Sequence, residues 1–176
     1  DAYFMRSEEI LNGDNYHPRV LMQVFARDHV VVCGTDEVIA LIRQCAFHPE
    51  TIEIHSLRDG EEVDEWETVM TIEGDYADFA HLETIYLGIL ARQSRIATNV
   101  RRVVKAANGK PVLFFPARYD IYQTQESDGY AALVGGIHGF STDANALAAG
   151  GKGLGTIPHA LIASYKGDTV AATEAF

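Results

Sequence analysis

The chain has 176 residues, 47% of them hydrophobic, which is enough to bury a core in one large domain or two small ones. The formal net charge of -11 argues against a nucleic-acid-binding protein, because such proteins carry a basic surface. No apolar stretch reaches the ~18 residues that a membrane span needs, and we expect no signal peptide. The two cysteines lack CxxC spacing, so we expect a cytoplasmic protein without a disulfide framework.

The amino-terminal quarter predicts helices and strands in alternation. Residues 1–11 predict a helix that begins at the first residue, so we expect a few residues to precede Asp1. Two short β-rich runs follow, at residues 19–27 and 29–34. Thr35 is expected to cap an amphipathic helix whose apolar residues share one face: Val38, Leu41 and Ile42.

Two half-buried strands and a long helix are predicted next. Residues 51–57 alternate apolar and polar side chains, and residues 65–74 place Trp66, Thr68, Met70 and Ile72 on one side. The acidic turn between them, Asp59 to Glu65, is most simply a solvated hairpin connection. From Phe79 to Ala107 the apolar spacing is helical, and the motif NGKP ends the helix. Its predicted core positions are Leu82, Ile85, Tyr86, Ile89 and Leu90.

One part of this helix is basic in an otherwise acidic protein. Its basic residues fall within fourteen positions that contain no Asp or Glu: Arg92, Arg95, Arg101, Arg102 and Lys105. This pattern fits either a site for an anionic substrate or a solvated helix face. The seven histidines show no HExxH or similar spacing, so no metal site is predicted.

The pattern changes beyond Lys110, and we place a domain boundary at the NGKP motif, between residues 109 and 110. Residues 111–115 are continuously apolar, as expected of a parallel strand covered on both faces. The βα alternation that follows predicts an α/β barrel, in which functional residues lie just past the carboxyl ends of the strands. Arg118, His138 and Thr142 are expected at such positions. Only two or three βα units fit, so we expect an incomplete barrel whose remaining strands lie outside these 176 residues.

A glycine-rich turn precedes His159 in the segment KGLGTIPHALIASY. Thr156 is a plausible N-cap, and Pro158 suits the first helical turn. A histidine at such a helix start tends to be neutral and close to any bound phosphate; the simpler alternative is a histidine packed beneath a loop. The glycines match neither nucleotide-binding fingerprint, and they fit backbone contact with phosphate or a tight turn equally well.

Three segments resemble nicotinate phosphoribosyltransferase, especially its archaeal-type branch. They are DAYFMRSEEIL at the start, ARQSRIATNVRRV in the long helix, and residues 111–172. The resemblance covers nearly the whole chain in order and is most specific in the last third. It implies a type II phosphoribosyltransferase-like α/β fold: an α+β amino-terminal domain at residues 1–109, then the first part of an α/β barrel at residues 110–176 that carries the site motifs.

The resemblance also implies an activity in NAD salvage. Nicotinate would displace pyrophosphate from phosphoribosyl pyrophosphate to give nicotinate mononucleotide, coupled to ATP hydrolysis and helped by Mg²⁺, in a homodimer or higher homo-oligomer. Quinolinate phosphoribosyltransferase is the near alternative, although its second carboxylate requires cations for which the sequence offers only Arg118 and His138. A non-catalytic fragment that acts as a nucleotide-binding or assembly module is the other alternative.

The resemblance assigns roles to five residues. His159 matches the histidine that ATP phosphorylates, and Arg118 matches an arginine that meets the phosphates of the sugar substrate. Thr156 matches a contact to nicotinate, and Tyr3 matches a tyrosine that stacks on the nicotinate ring from the neighbouring subunit. His138 matches a position lining the pyridine pocket, where nicotinamide-using relatives carry aspartate. The ordinary alternatives are a core aromatic for Tyr3 and a strand-end ion pair for Arg118.

Overall fold

The structure, a computed structural model, describes all residues from Asp1 to Phe176. The helices are α1 (Ala2–Gly13), α2 (Thr35–Cys45), α3 (Tyr76–Phe79), α4 (Glu83–Ala106), α5 (Gln125–Gly135), α6 (Asp143–Ala146), α7 (His159–Ser164) and α8 (Thr169–Ala175). The strands are β1 (Arg19–Phe25), β2 (Val30–Val31), β3 (Glu53–Ser56), β4 (Glu62–Val63), β5 (Thr68–Asp75), β6 (Leu113–Phe114) and β7 (Gly139–Phe140). Short 3-10 helices lie at Pro49–Thr51, Ala80–Leu82, Tyr122–Thr124 and Leu147–Ala149. A mixed α/β fold is confirmed, without the predicted barrel.

The amino-terminal core lies between a sheet and two helices. Strands β1, β5 and β3 pair antiparallel in that order, with Ile54 opposite Ile72. One cluster joins this sheet to α2 and α4, and its buried members include Val38, Ile42, Met70, Ile72, Phe79 and Tyr86. Because each fully buried large apolar side chain contributes about 1.5–3 kcal/mol, this cluster holds α2 and α4 on one face of the sheet.

Helix α4 is the element that both parts of the chain share. Leu82, which directly precedes it, and Tyr86 and Leu90 within it are buried as predicted, whereas Ile85 is 49% exposed and its predicted core position is wrong. Farther along, Ala97 lies in a buried cluster with Ala131 of α5. A side chain at Gly135 of α5 would place its Cβ only 2.7 Å from Val100, so α4 and α5 pack closely because the facing residues are small.

Buried hydroxyls of α4 also satisfy the backbone of the neighbouring chain. Thr98 accepts a hydrogen bond from the Val31 amide at 2.9 Å, and Ser94 accepts one from the Cys33 amide at 3.0 Å. These amides are buried, and an unpaired buried N–H would cost about 1–3 kcal/mol. Helix α4 therefore completes the hydrogen bonding of the β2 region, which pairs on its other side with β4.

The carboxyl-terminal third contains one small parallel sheet. Leu113 of β6 lies opposite Gly139 of β7, and α5 lies between the two strands in the sequence. The sheet has two strands, and no barrel is formed. The expectation that residues 111–115 are covered on both faces is wrong here, since Leu113 and Phe115 are 45% and 44% exposed. The boundary predicted after residue 109 stays a prediction.

Three expectations near the ends of the predicted elements are wrong. Thr35 is the first residue of α2 and does not cap it, because Asp59 accepts hydrogen bonds from the amides of Gly34 and Thr35 at 3.0 and 2.9 Å. Asp59 is therefore a structural anchor and not part of a solvated turn. Trp66 lies before β5 at a φ of 70°, with its indole 5.2 Å from the Phe25 ring, so it is not a strand residue.

Both cysteines are free thiols: Cys33 is buried and Cys45 is exposed. Burial raises the pKa of the Cys33 thiol, which keeps it protonated. None of the helices combines the length and the apolar character that crossing a membrane requires.

Candidate functional site

The carboxyl ends of β6 and β7 form the edge at which the predicted site residues were expected. The Ser141 amide, just after β7, donates to the Phe114 carbonyl at the end of β6 at 3.0 Å. The Leu154 amide donates to the Phe140 carbonyl at 2.6 Å, which brings the glycine-rich segment to the same edge. Arg118 follows β6 by four residues. The fold thus gathers the Arg118 loop (residues 115–121), the Ser141–Thr142 pair and the glycine-rich segment (residues 150–157).

Arg118 lies inside a tight turn of its loop. The amides of Tyr119 and Asp120 both donate to the Pro116 carbonyl, at 2.8 and 3.2 Å, so the chain folds back around Arg118. The residue is exposed, and its guanidinium bonds to no protein group. The alternative of a strand-end ion pair is therefore wrong, and the five donors of the guanidinium are free to meet an anion.

His138 and Arg118 lie at opposite ends of the β6–β7 sheet. It directly precedes β7, its amide donates to the Val112 carbonyl at 3.0 Å, and its Nδ1 lies 3.2 Å from the Val112 amide. The expectation that His138 follows a strand is wrong, because β7 begins one residue after it. In this chain His138 ties together the starting ends of β6 and β7, and its predicted place in the pyridine pocket stays a prediction.

The glycine-rich segment packs against the loop after β7. A Cβ at Gly153 would lie 2.6 Å from the Thr142 carbonyl carbon, so only glycine permits this close approach. The Gly153 amide donates to the Asp143 carboxylate at 2.8 Å. Close packing, which is neither of the two predicted interpretations, therefore explains Gly153, whose N–H is already engaged.

His159 is the first residue of α7, and Thr156 does not cap that helix. The N-cap is Pro158, without a side-chain hydrogen bond, and both Thr156 and His159 are exposed. The His159 imidazole bonds to no protein group, so the alternative of a histidine packed beneath a loop is wrong. Because α7 has only six residues, its dipole is a small influence on His159. The structure thus presents this imidazole to solvent.

Tyr3 lies on the amino-terminal side of the molecule. It is 59% exposed, so the alternative of a core aromatic is wrong. Its hydroxyl donates to the Asp1 carboxylate, 3.3 Å away, which also accepts from the Thr84 hydroxyl at the start of α4 at 3.0 Å. Within one copy of the chain, Tyr3 makes no hydrogen bond to the Arg118 loop.

The basic residues of α4 divide into paired and unpaired groups. Arg101 and Lys105 both contact the Glu62 carboxylate, at 3.1 and 3.3 Å. The pKa of Glu62 is lowered, and the hydrogen bond from Lys105 is the main cause. Arg92 pairs with Asp128 and Asp120, at 2.8 and 3.2 Å. Arg92 and Lys105 nevertheless remain exposed, so the solvated-face interpretation stands for them, with their charges paired to carboxylates. Arg95 and Arg102 are exposed and bond to no protein group.

Two features near the strand edge escaped the sequence analysis. The Ser141 hydroxyl oxygen is buried and has no hydrogen-bond partner, and no sequence signal marked it. The pairing of Arg92 with the buried Asp128 was also missed, although the basic stretch had singled out Arg92. A groove of about 590 Å³ runs along α4 and is lined by Gly88, Ala91, Arg92, Arg95, Ile96, Asn99 and Asp120.

A second cavity, of about 630 Å³, lies beneath α1 and away from the predicted site residues. It is lined by Glu8, Asn12, His17, Phe47, His48, Asp75, Ala77 and Asp78. Two of its histidines pair with carboxylates: His17 Nδ1 lies 2.8 Å from Asp75, and His48 Nδ1 lies 2.8 Å from Asp78. We interpret His17 and His48 as structural residues of this cavity, because a carboxylate already binds each imidazole ring.

The His48 pair predicts a measurable pH effect. The hydrogen bond to Asp78 raises the pKa of His48 above its model-peptide value. Since the folded-state pKa is the higher one, the pair stabilises the fold below the unfolded pKa of about 6.5 and loses this contribution as the pH rises through the folded-state pKa. An NMR titration of the His48 ring should give a lower midpoint in Asp78→Asn than in the wild type. Equal midpoints would contradict the pairing.

No group of three or more His, Cys, Asp or Glu side chains lies close enough together to hold a metal ion. Two carboxylates of this region already bind protein groups, since Asp120 pairs with Arg92 and Asp143 accepts from Gly153. The residues of this chain therefore do not by themselves form a Mg²⁺ site.

Comparisons with known proteins identify the amino-terminal part. Residues 1–94, more than half of the chain, match the family described as quinolinate phosphoribosyl transferase, N-terminal domain. The nicotinate-nucleotide pyrophosphorylase of Pyrococcus furiosus is 36% identical and matches with a TM-score of 0.89 over 98% of this chain and 44% of its own. The chain thus spans less than half the length of that relative.

Two more distant structures share the fold. Human nicotinic acid phosphoribosyltransferase matches 93% of this chain and 40% of its own at 14% identity, with a TM-score of 0.77. Nicotinate-nucleotide pyrophosphorylase of Ehrlichia chaffeensis matches 96% of this chain and 66% of its own at 17% identity, with a TM-score of 0.64. With the match of residues 1–94, the chain belongs to the quinolinate phosphoribosyl transferase family, the type II phosphoribosyltransferases.

Proposed function

We propose that the protein transfers the phosphoribosyl group of phosphoribosyl pyrophosphate to nicotinate, with ATP hydrolysis coupled through His159. The observation that carries this proposal is the free guanidinium of Arg118 at the strand edge that also receives the glycine-rich segment leading to the exposed His159. In this proposal residues 1–109 form the amino-terminal domain, and β6, α5 and β7 form the first part of an α/β barrel.

The proposed transfer requires charge stabilisation more than acid or base catalysis. The ring nitrogen of nicotinate forms a bond to the anomeric carbon of the sugar, and the bond from that carbon to the pyrophosphate oxygen breaks, so that pyrophosphate leaves with the electron pair. Arg118 would bind phosphate oxygens with its planar fork of donors. Because that fork is free of protein partners, its donors are available to the leaving pyrophosphate. The stabilisation that they give grows as negative charge develops on the leaving group.

His159 would take part in a separate phosphoryl transfer. An imidazole nitrogen bonds to the γ-phosphorus of ATP, ADP leaves, and later hydrolysis of the phosphohistidine releases phosphate. The exposure of the ring supports this role, since an imidazole free of protein partners is open to an in-line approach. Mg²⁺ would accompany the two phosphate substrates and not a site built from this chain.

The pyridine substrate would be held by residues from two copies of the chain. Thr156, three residues before His159, would contact nicotinate through its exposed hydroxyl. Tyr3 lies away from this edge and would reach the nicotinate ring of a neighbouring copy, which implies a homodimer or higher homo-oligomer. His138 would line the pyridine pocket only if the substrate extends to the opposite end of β7.

The proposal is tested by mass-spectrometric detection of nicotinate mononucleotide after incubation with nicotinate, phosphoribosyl pyrophosphate, Mg²⁺ and ATP. We expect product from the wild type and a fall of about tenfold or more in His159→Ala, because the phosphoryl acceptor is lost. His55→Ala is the control, since His55 is an exposed histidine of β3 without a protein partner.

Each other outcome contradicts a stated part. No product from folded wild-type protein would overturn the proposed activity, and ligand titration without turnover would favour a binding module. Equal product from His159→Ala would overturn its phosphoryl-accepting role. Product from quinolinate, and none from nicotinate, would favour the second candidate function, which the family of residues 1–94 supports by its description.

A further inference from the structure

The loop that carries Arg118 is tied to α4 by a single side chain. Arg92 Nη2 lies 3.2 Å from Asp120 Oδ1, and Asp120 is two residues after Arg118. The same nitrogen lies 3.2 Å from the Thr124 hydroxyl, in the 3-10 helix that follows the loop. One guanidinium thus contacts both the loop and the segment where the loop ends.

Arg92 is itself held in place by a buried carboxylate. Its Nε and Nη2 donate to the two oxygens of Asp128, at 2.9 and 2.8 Å, and Asp128 is only 1% exposed. Such a bidentate pair fixes the plane of the guanidinium as well as its position. The Asp128 carboxylate also accepts from the Thr124 hydroxyl at 2.9 Å, which closes the network.

This network determines the position of the turn around Arg118. The turn is closed by the amides of Tyr119 and Asp120 on the Pro116 carbonyl, and apart from the Asp120 contact its side chains are exposed or unpaired. Tyr119 is 93% exposed, so it contributes little packing that could hold the loop. The Arg92 contact is therefore the side-chain tie that limits the motion of the turn.

We infer that Arg92 is a positioning residue: anchored by Asp128, it holds the Arg118 loop so that the free guanidinium of Arg118 is preorganised for the phosphates of phosphoribosyl pyrophosphate. The inference rests on the proposed function for the role of Arg118. Arg92 itself directs Nε and Nη2 toward four protein oxygens, two of Asp128 and one each of Asp120 and Thr124, and its inferred role requires no contact with substrate. Lysine would not replace it, since a point charge cannot hold two carboxylates and a hydroxyl in fixed directions.

The experiment measures loop order and kinetics in matched variants of the full protein. In Arg92→Gln the amides of Tyr119 and Asp120 should exchange hydrogen faster, because the turn opens more often. The KM for phosphoribosyl pyrophosphate should rise about tenfold while kcat and the KM for nicotinate change less than about threefold, since the variant loses preorganisation of one substrate only. A purely structural defect would lower the amount of active enzyme and move kcat instead.

Two further variants keep the test decisive if Arg92→Gln fails to fold. Asp120→Asn breaks only the loop side of the tie and leaves the Arg92–Asp128 pair, so it should show the same two effects in weaker form. Arg102→Gln removes one charge from an exposed, unpaired position of the same helix and should leave both readouts unchanged.

The outcomes separate this inference from the proposed function. Suppose that the wild type is active and that Arg92→Gln and Asp120→Asn fold. Unchanged hydrogen exchange, or an unchanged KM for phosphoribosyl pyrophosphate, in these variants would then overturn the inference alone. If the wild-type protein is inactive but the loop exchanges hydrogen faster in both variants, the Arg92–Asp120 contact is supported. The proposed function, and with it the substrate assigned to Arg118, is then overturned.

Discussion

Gly129→Ala is expected to destabilise the fold by about 3 kcal/mol or more, because overpacking at a rigid contact cannot be relieved by a side-chain rotation. Gly129 lies in α5 where that helix meets α6, and an added Cβ would lie 2.6 Å from both the Cα and the carbonyl carbon of Asn145. Asn145 is fully buried, and its amide group donates to the Gln125 carbonyl at 2.6 Å, so its backbone cannot move away. Urea unfolding monitored by circular dichroism measures the loss.

Gly88→Ala is the matched control for this prediction. Gly88 lies inside α4, and a Cβ added there meets no atom within 4 Å. The same substitution should therefore stabilise the protein by about 0.5–1 kcal/mol, through the higher helix propensity of alanine. Equal unfolding midpoints for Gly129→Ala and the wild type would contradict the close approach of α5 and α6.

Asp59→Ala is expected to cost about 3 kcal/mol, the sum of a lost helix cap and of donors left without partners. The Asp59 carboxylate accepts four hydrogen bonds, from the amides of Gly34 and Thr35, the Thr35 hydroxyl, and the Tyr130 hydroxyl at 2.8 Å. Tyr130 belongs to α5, so one carboxylate caps α2 and also ties it to the carboxyl-terminal third. Chemical denaturation of purified variants measures the change.

Two variants divide this effect into its parts. Tyr130→Phe removes only the contact with α5 and should cost about 1 kcal/mol. Glu65→Ala removes an exposed carboxylate without a protein partner from the same acidic turn, and its free energy of unfolding should stay within about 0.5 kcal/mol of the wild type. If Asp59→Ala were as mild as Glu65→Ala, the anchoring role of Asp59 would be wrong.

The helices and strands were predicted well where their signals are local. The apolar face of α2, with Val38 and Ile42, and the buried residues Met70 and Ile72 of β5 lie in the core as their periodicity predicts. The segment around Arg118 was also placed correctly after a strand. These predictions succeed because period and turn chemistry depend on residues only a few positions apart.

The predictions that failed depended on the order and direction of the chain in space. His138 was expected after a strand, but it directly precedes β7 and so lies at the opposite end of the sheet from Arg118. Thr35 was the best local cap for α2, yet the acceptor comes from Asp59, 24 residues away. A distant carboxylate competes successfully because it reaches two amides and a hydroxyl at once.

The sequence by itself determined the α/β class, the order of the elements, and the residues His159 and Arg118 on which the proposed chemistry depends. The tertiary structure alone decided which charges remain free. Arg92 and Arg118 are both arginines in polar surroundings, but Asp128 lies 36 positions from Arg92 and fixes it, whereas no carboxylate reaches Arg118. The physical reason is that an ion pair requires atoms within about 4 Å, and only the packing of α4 against α5 determines which side chains meet at that distance.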